Sequence, residues 1–258
     1  MESPLDFKLF QPKKELSTYI QGIWSAAVSP DSSGNVKRWL QGDACSGIIF
    51  NLGENIRLND SQFSEKIILL PISMEAHSIT LFPGAQLAGI RFHPGIGTGV
   101  FGAQNDKPMI LTDCNQLQGL QSTIVRLEKA FGHQARIAVL YKWLKNRVDF
   151  SEVIPKSLLH SMSILKTAQK NRVSGSDIPL SQRQIERQFQ QWVGMSPKRY
   201  QRILRVYKAI NFLKHNPDTN LVTLALNNGF SDQAHMTREF NHIAKITPKR
   251  YSKRIVSR

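Results

Sequence analysis

The sequence predicts an α+β chain: a small antiparallel β-barrel with helices, followed by an all-α domain of two similar short-helix units joined by one long helix. Three observations carry this prediction. Short apolar runs broken by Gly, Pro, Asn and Asp fill roughly the first 110 residues, as closely spaced strands do. Apolar residues then recur at helical steps over residues 115–146. Finally, the last part of the chain matches itself at an offset of 51 residues, which marks one structural unit used twice.

Residues 22–24, 46–52, 66–70 and 87–92 are the clearest strands, apolar runs such as Ile48-Ile49-Phe50 and Ile67-Ile68-Leu69-Leu70 bounded by turn formers. In the next segment Leu117, Leu120, Ile124 and Leu127 form one helical stripe and Ile137, Leu140 and Leu144 a second, with Gly132 between them. Pro155 opens a new domain. The expected organisation is a barrel domain over residues 1–114, a helical linker over 115–150 and an all-helical domain over 156–258. The stripes exceed what one small barrel needs to cover, so the 115–146 helices are expected to join two copies in a homodimer.

In the repeat, Arg187 falls on Arg238, Phe189 on Phe240 and Ile185 on Met236. Ser196 falls on Thr247, and Pro197-Lys198-Arg199-Tyr200 on Pro248-Lys249-Arg250-Tyr251. Each unit reads as a capped helix with one apolar face. Ser181 caps the first, with Gln184 three residues on as in a capping box. That helix, about 182–193, buries Ile185, Phe189 and Trp192 and stops at Gly194. Ser231 or Asp232 caps the second, about 232–244, which buries Met236, Phe240 and Ile243. Ser196 and Thr247 cap the helices that follow, with Pro197 and Pro248 at the first helical position. Before the second capped helix, residues 221–230 fit a short helix ending at Gly229, and the small Ala225 lets another helix cross closely. Short helix, glycine turn and polar-faced helix is the helix-turn-helix pattern.

Charge narrows the partner. The chain carries +15 overall. Residues 151–258 hold 19 Lys and Arg against 6 Asp and Glu, a net +13, whereas residues 1–150 carry only +2. A basic half-chain implies a polyanion, either nucleic acid or an anionic membrane. The exposed helical faces lack the Trp, Phe and Leu that enter lipid, and no apolar run approaches the ~20 residues of a membrane span. No membrane partner is expected, and the chain is expected in the cytoplasm. Cys45 and Cys114 are too few for a disulfide framework and read as reduced. Asp43, Cys45, His77 and His93 lack the ligand spacing of a metal site, so neither metal nor cofactor is expected. The alternative of a nucleic-acid-processing or repair enzyme finds no paired carboxylates in the basic half and no activating motif beside either cysteine.

The segment 181–200, the connecting helix and Asn228-Gly229-Phe230-Ser231-Asp232-Gln233 through Tyr251 resemble the DNA-binding domain of AraC/XylS-type transcription regulators. The N-terminal half resembles a cupin-like domain through 19–24, 43–53 and 88–95. One departure is visible: residues 171–180, NRVSGSDIPL, lack the Leu-Ala…Gly pattern of Leu224, Ala225 and Gly229. The resemblance implies sequence-specific binding of double-stranded DNA, activating or repressing transcription without catalysis. Its two recognition helices would enter successive major-groove faces. Base contacts are expected from Arg183, Glu186 and Arg187 in the first helix and Gln233, Ala234, Thr237 and Arg238 in the second. Arg187 and Arg238 lead because guanidinium can bond both O6 and N7 of guanine; a phosphate contact or an internal ion pair is the competing role. Gln190, Lys198, Arg199, Asn241, Lys249 and Arg250 are expected at phosphates, the basic pairs lying at helix starts where backbone N–H groups are open. In the barrel, Trp24, Phe50, Ile90 and Phe92 are expected either to line a pocket for a small-molecule effector or simply to fill the core.

Overall fold

Two structural units divide the chain. The computed structural model describes residues 4–102, 105–111, 120–150, 152–167 and 180–256. The first unit comprises Met1–Leu40, Cys45–Ile72 and His77–Ile154. The second comprises Pro155–Arg258 with two short segments, Gln41–Ala44 and Ser73–Ala76.

The first unit is built on two antiparallel sheets. One has six strands in the order β1 (Leu5–Phe10), β2 (Ile20–Val28), β9 (Gln86–Phe92), β4 (Ser46–Asn51), β7 (Ile67–Leu70) and β10 (Met109–Ile110). The other has four: β3 (Val36–Leu40), β8 (His77–Leu81), β5 (Ile56–Leu58) and β6 (Ser61–Phe63). The strands expected from sequence are β2, β4, β7 and β9, adjacent members of the larger sheet. Ala26, Val28, Ile49, Ile68 and Leu87 from that sheet share one apolar cluster with Val36, Ile56, Leu58, Ile79 and Leu81 from the other. Alternate residues of each strand therefore face a common interior. A Cβ on Gly89 would lie 2.4 Å from the Trp24 ring, so only glycine lets that ring lie flat across β9.

Helices cover the outer face of the larger sheet. Besides the short α1 (Leu16–Tyr19), they are α2 (Ile96–Phe101), α3 (Leu120–Glu128) and α4 (Gly132–Arg147), with α4 packed on β2 and β9 and α3 on α4. Strand β4 lies between β9 and β7 with α2 packed against it, and every one of its residues is buried. His133 ties α4 to the sheet, with Nδ1 2.9 Å from Ser25 Oγ and Nε2 2.9 Å from Asp6 Oδ2.

Two expectations change here. The 115–150 segment does not stand apart: its described helices pack within the first unit. Leu120, Leu127, Leu140 and Leu144 are buried there, so their stripes are accounted for without a second copy; Leu117 lies outside the described residues. The second change concerns Trp24, Phe50, Ile90 and Phe92, which do not line one pocket. Trp24 is opposite Gly89 and Phe50 opposite Ala88. By strand alternation Trp24 faces the interior, whereas Phe50, Ile90 and Phe92 face the helices. Phe92 meets Phe101 of α2 edge-on at 5.9 Å.

The second unit is helical: α5 (Lys156–Thr167), α6 (Gln182–Val193), α7 (Pro197–His215), α8 (Leu221–Asn227), α9 (Gln233–Ala244) and α10 (Pro248–Val256). The caps fall where the sequence puts them. Ser181 and Gln184 form a complete capping box. Ser196 Oγ accepts from Arg199 N at 3.2 Å, and Thr247 Oγ1 from Arg250 N at 3.4 Å. Of the two candidates before α9, Asp232 is the cap, accepting from His235 N at 2.7 Å. Gly194 and Gly229 have φ of 64° and 77°, the left-handed backbone that ends a helix tightly. Residues 171–179, the site of the irregular first scaffold, lie outside the described residues.

Candidate nucleic-acid interface

Each candidate recognition helix is held from beneath by one apolar stripe. Phe189 and Val193 of α6 are fully buried, with Ile185 and Trp192 half-buried. Met236, Phe240 and Ile243 of α9 are buried. The repeat has a physical cause in two matching ring contacts. Phe189 and Tyr200 lie 5.5 Å apart at 53°, and Phe240 and Tyr251 lie 5.9 Å apart at 62°. Each fixes a candidate recognition helix to the helix after it, and the Pro-Lys-Arg-Tyr motif supplies the tyrosine both times.

With the apolar face fixed, the polar face is exposed. Arg183, Glu186, Arg187 and Gln190 lie exposed on α6. On α9 the repeat-equivalent Ala234, Arg238 and Asn241 are exposed and Thr237 is half-buried, with Gln233 exposed at the start of the helix. Glu186 and Thr237 have internal partners. Glu186 Oε1 accepts from Gln182 Nε2 at 3.1 Å, and Thr237 Oγ1 donates to the Gln233 carbonyl at 2.8 Å. Ala234 and Thr237 lie three residues apart on α9, and both carry a methyl group, the chemistry that suits a thymine methyl. Lys198 and Arg199 lie exposed in the first turn of α7, and Lys249 and Arg250 in that of α10. Pro197 and Pro248 have no N–H, and the caps take the Arg199 and Arg250 N–H groups. The N–H groups of Lys198 and Lys249 are the next in line for an oxyanion.

An open groove of about 600 Å³ runs between α8 and α10, lined by Asn220, Val222, Gln233, Lys249, Lys253 and Val256 among others. It brings together Gln233 and Lys249, one expected at bases and the other at phosphate. The helix α7 between the two units has 19 residues, about 28 Å at 1.5 Å per residue.

Sequence reading missed the groups that orient the two helices. Arg202 of α7 makes two bonds to Glu239 of α9, Nε to Oε2 at 2.7 Å and Nη2 to Oε1 at 2.9 Å. Burial pushes the Glu239 carboxyl up, but the hydrogen bonds and charge of Arg202, with the charges of His235 and Arg205, hold it below the usual carboxylate range. The same bonds raise Arg202. At the equivalent position in α6, Gln188 exchanges hydrogen bonds with Ser157 of α5, with contacts of 3.1 and 3.2 Å. The offset of 51 places Gln188 on Glu239, and that was the available signal. The partners escape it because Ser157 and Arg202 are not at matching offsets.

The start of α9 is also firmly set. The His235 backbone N–H holds the Asp232 carboxyl below its ordinary range, helped by the Ser231 hydroxyl and the charge of Arg238. Arg205 of α7 lies over Phe230 at 5.8 Å and packs the turn before that cap. At the other end, Glu75 pairs with Lys245 and lies 3.3 Å from His242, and Ala76 N–H donates to the Ile243 carbonyl at 2.6 Å. Among the described residues no group of three or more His, Cys, Asp or Glu is placed to hold a metal, and no helix is long and apolar enough to cross a membrane.

Comparison with known proteins places these features. Residues 177–254 match the family model of a helix-turn-helix domain, and residues 8–107 match that of a domain of unknown function. The chain is 28% identical over 160 residues to the HTH-type transcriptional activator RhaS of Salmonella paratyphi A, covering 60% of this chain and 50% of that protein. It is 39% identical over 66 residues to RhaS of Escherichia coli O157:H7, 24% of this chain and 23% of that one. The chain thus spans half or less of the length of these curated relatives. Among solved structures, a Chromobacterium violaceum transcriptional regulator with an AraC-type DNA-binding domain is 25% identical, covers 38% of this chain and 91% of its own, and has a TM-score of 0.36. ToxT of Vibrio cholerae is 11% identical, covers 85% of this chain and 97% of its own, and has a TM-score of 0.46. Residues 177–254 are therefore a helix-turn-helix domain, preceded by a region that matches a different domain family.

Proposed function

We propose that this chain is a sequence-specific transcription regulator that binds double-stranded DNA in the cytoplasm, with α6 and α9 each reading the major groove. The observation that carries this is the paired exposure of Arg187 and Arg238 at repeat-equivalent positions, each above the same Phe–Tyr contact. Arg183, Glu186, Gln233, Ala234 and Thr237 flank them as further base readers. Gln190, Lys198, Arg199, Asn241, Lys249 and Arg250 take the phosphates. The N-terminal domain senses a small molecule or joins two copies, and the chain regulates without catalysing a reaction.

Selection of bound duplexes from a randomised pool tests this. The proposal expects one enriched motif and an affinity that falls steeply with salt, because phosphate contacts release counterions. Equal affinity for every duplex sequence would refute it.

A further inference from the structure

The strand β1 is an outer strand of the six-stranded sheet, paired with β2 on one side. Its residues Asp6 to Phe10 are all exposed. Three of them are large and apolar: Phe7 is 48% exposed, Leu9 53% and Phe10 40%. An edge strand of this composition is an association site unless something blunts it. The single lysine on it, Lys8, is the usual blunting device. Here that lysine has a complement two residues away, in Asp6.

We infer that β1 pairs antiparallel with β1 of a second copy of this chain, about a twofold axis at Phe7. In that register Leu5 lies opposite Leu9 of the second copy, Asp6 opposite Lys8, and Phe7 opposite itself. Directly opposed residues share a face of the sheet. The acid and the base therefore meet twice on one face, and the apolar residues meet on the other. The neighbouring registers lose this match. A shift of one residue sets both charges against apolar side chains. A shift of two opposes Asp6 to Asp6 or Lys8 to Lys8, and like charges directly opposite destabilise a sheet. The pattern is self-complementary in one register, as a twofold interface requires.

The strand is also held ready for pairing. Asp6 is fixed by His133 at 2.9 Å. On the same face Phe10 meets Tyr141 of α4 edge-on at 5.8 Å, and on the other Phe7 stacks on Trp24 at 6.2 Å. These contacts hold the strand from its two faces. The inference specifies the joining role proposed above for the N-terminal domain, and it puts the joint at β1 rather than at the helices of 115–146.

Sedimentation velocity on the full chain, from 1 to 100 µM on the order of ordinary interface affinities, tests it with a charge-swap cycle. Wild type is expected to dimerise. Lys8→Asp and Asp6→Lys should each weaken the dimer at least tenfold, and the double variant Asp6→Lys/Lys8→Asp should restore it. A wild type that stays monomeric throughout, or a Lys8→Asp variant that dimerises as well as wild type, overturns the inference. If Asp6→Lys misfolds through loss of the His133 contact, Lys8→Asp and Lys8→Glu still decide, because Lys8 is exposed. Affinity for a duplex bearing one binding site, measured on the same variants, keeps the two proposals apart. It should be unchanged by Lys8→Asp, and its absence in wild type would count against DNA reading rather than against the paired strands.

Discussion

The two candidate recognition helices share one packing skeleton but differ in what locks it. Both α6 and α9 bury a phenylalanine completely against a tyrosine from the next helix. At the equivalent position outside that contact, α9 carries Glu239, clamped by two charged bonds from Arg202, whereas α6 carries Gln188, joined to Ser157 by neutral ones. Charge-assisted bonds are roughly twice as strong as neutral ones. The comparison teaches that a duplicated unit can keep its core and still diverge in rigidity through a single peripheral pair. The second unit should hold its reading face more firmly than the first.

The largest effects should come from what the units share. Phe240→Ala and Phe189→Ala should each destabilise the helical unit by about 3–5 kcal/mol, the range for a buried phenylalanine. Thermal unfolding measures this, and similar losses are expected because both side chains are fully buried. A small loss at one of them would break the claim of a common skeleton.

The next effects come from where the units differ. Arg202→Ala leaves Glu239 without its clamp. The expected loss is about 1–2 kcal/mol, less than for a fully buried pair because Arg202 is partly exposed and screened. Gln188→Ala should cost about 0.5–1 kcal/mol, the scale of one neutral hydrogen bond. Acid sharpens the contrast. The Glu239 carboxyl titrates below its ordinary range in the fold, so its contribution is complete above the unfolded carboxylate value and is lost as pH falls through the lower folded value. Gln188 and Ser157 do not titrate. Hydrogen exchange followed from neutral pH towards pH ~3, below the ordinary Glu value, should show α9 loosening relative to α6. Glu239→Gln should remove the Glu239 share of that pH dependence and leave the shares of the Asp232 cap and of Glu75. The most local effect expected is at the cap: Ser181→Ala should cost about 1 kcal/mol, visible as faster exchange in the first turn of α6.

The same contrast between local and non-local causes decides what was legible in the sequence. The ends of α6, α7 and α9 are set by Ser181, Gly194, Ser196 and Asp232, each acting within four residues, so they read directly. The strands β2, β4, β7 and β9 read well because they are apolar runs. By contrast β3 (VKRWL), β5 (IRL) and β8 (HSITL) hold too few apolar residues to stand out. Face assignment failed for a different reason. Whether Trp24 shares a side with Phe50 depends on cross-strand register, which a single strand does not encode. The Arg202–Glu239 clamp spans 37 residues and leaves no local pattern. The apolar stripes of α3 and α4 were legible as stripes, but their destination was not, since a helix looks the same whether it covers its own sheet or a second copy.

The central claim is that two equivalent arginines read DNA from unequally anchored helices. It is tested most directly by the affinity of Arg187→Ala and Arg238→Ala for the selected duplex and for a scrambled one. Each substitution should weaken binding to the selected duplex by about 1–3 kcal/mol and leave binding to the scrambled one nearly unchanged. The loss should be larger for Arg238, on the more firmly held helix. Equal weakening on both duplexes would make these residues phosphate contacts and contradict the account, and a larger loss at Arg187 would reverse the ranking of the two units.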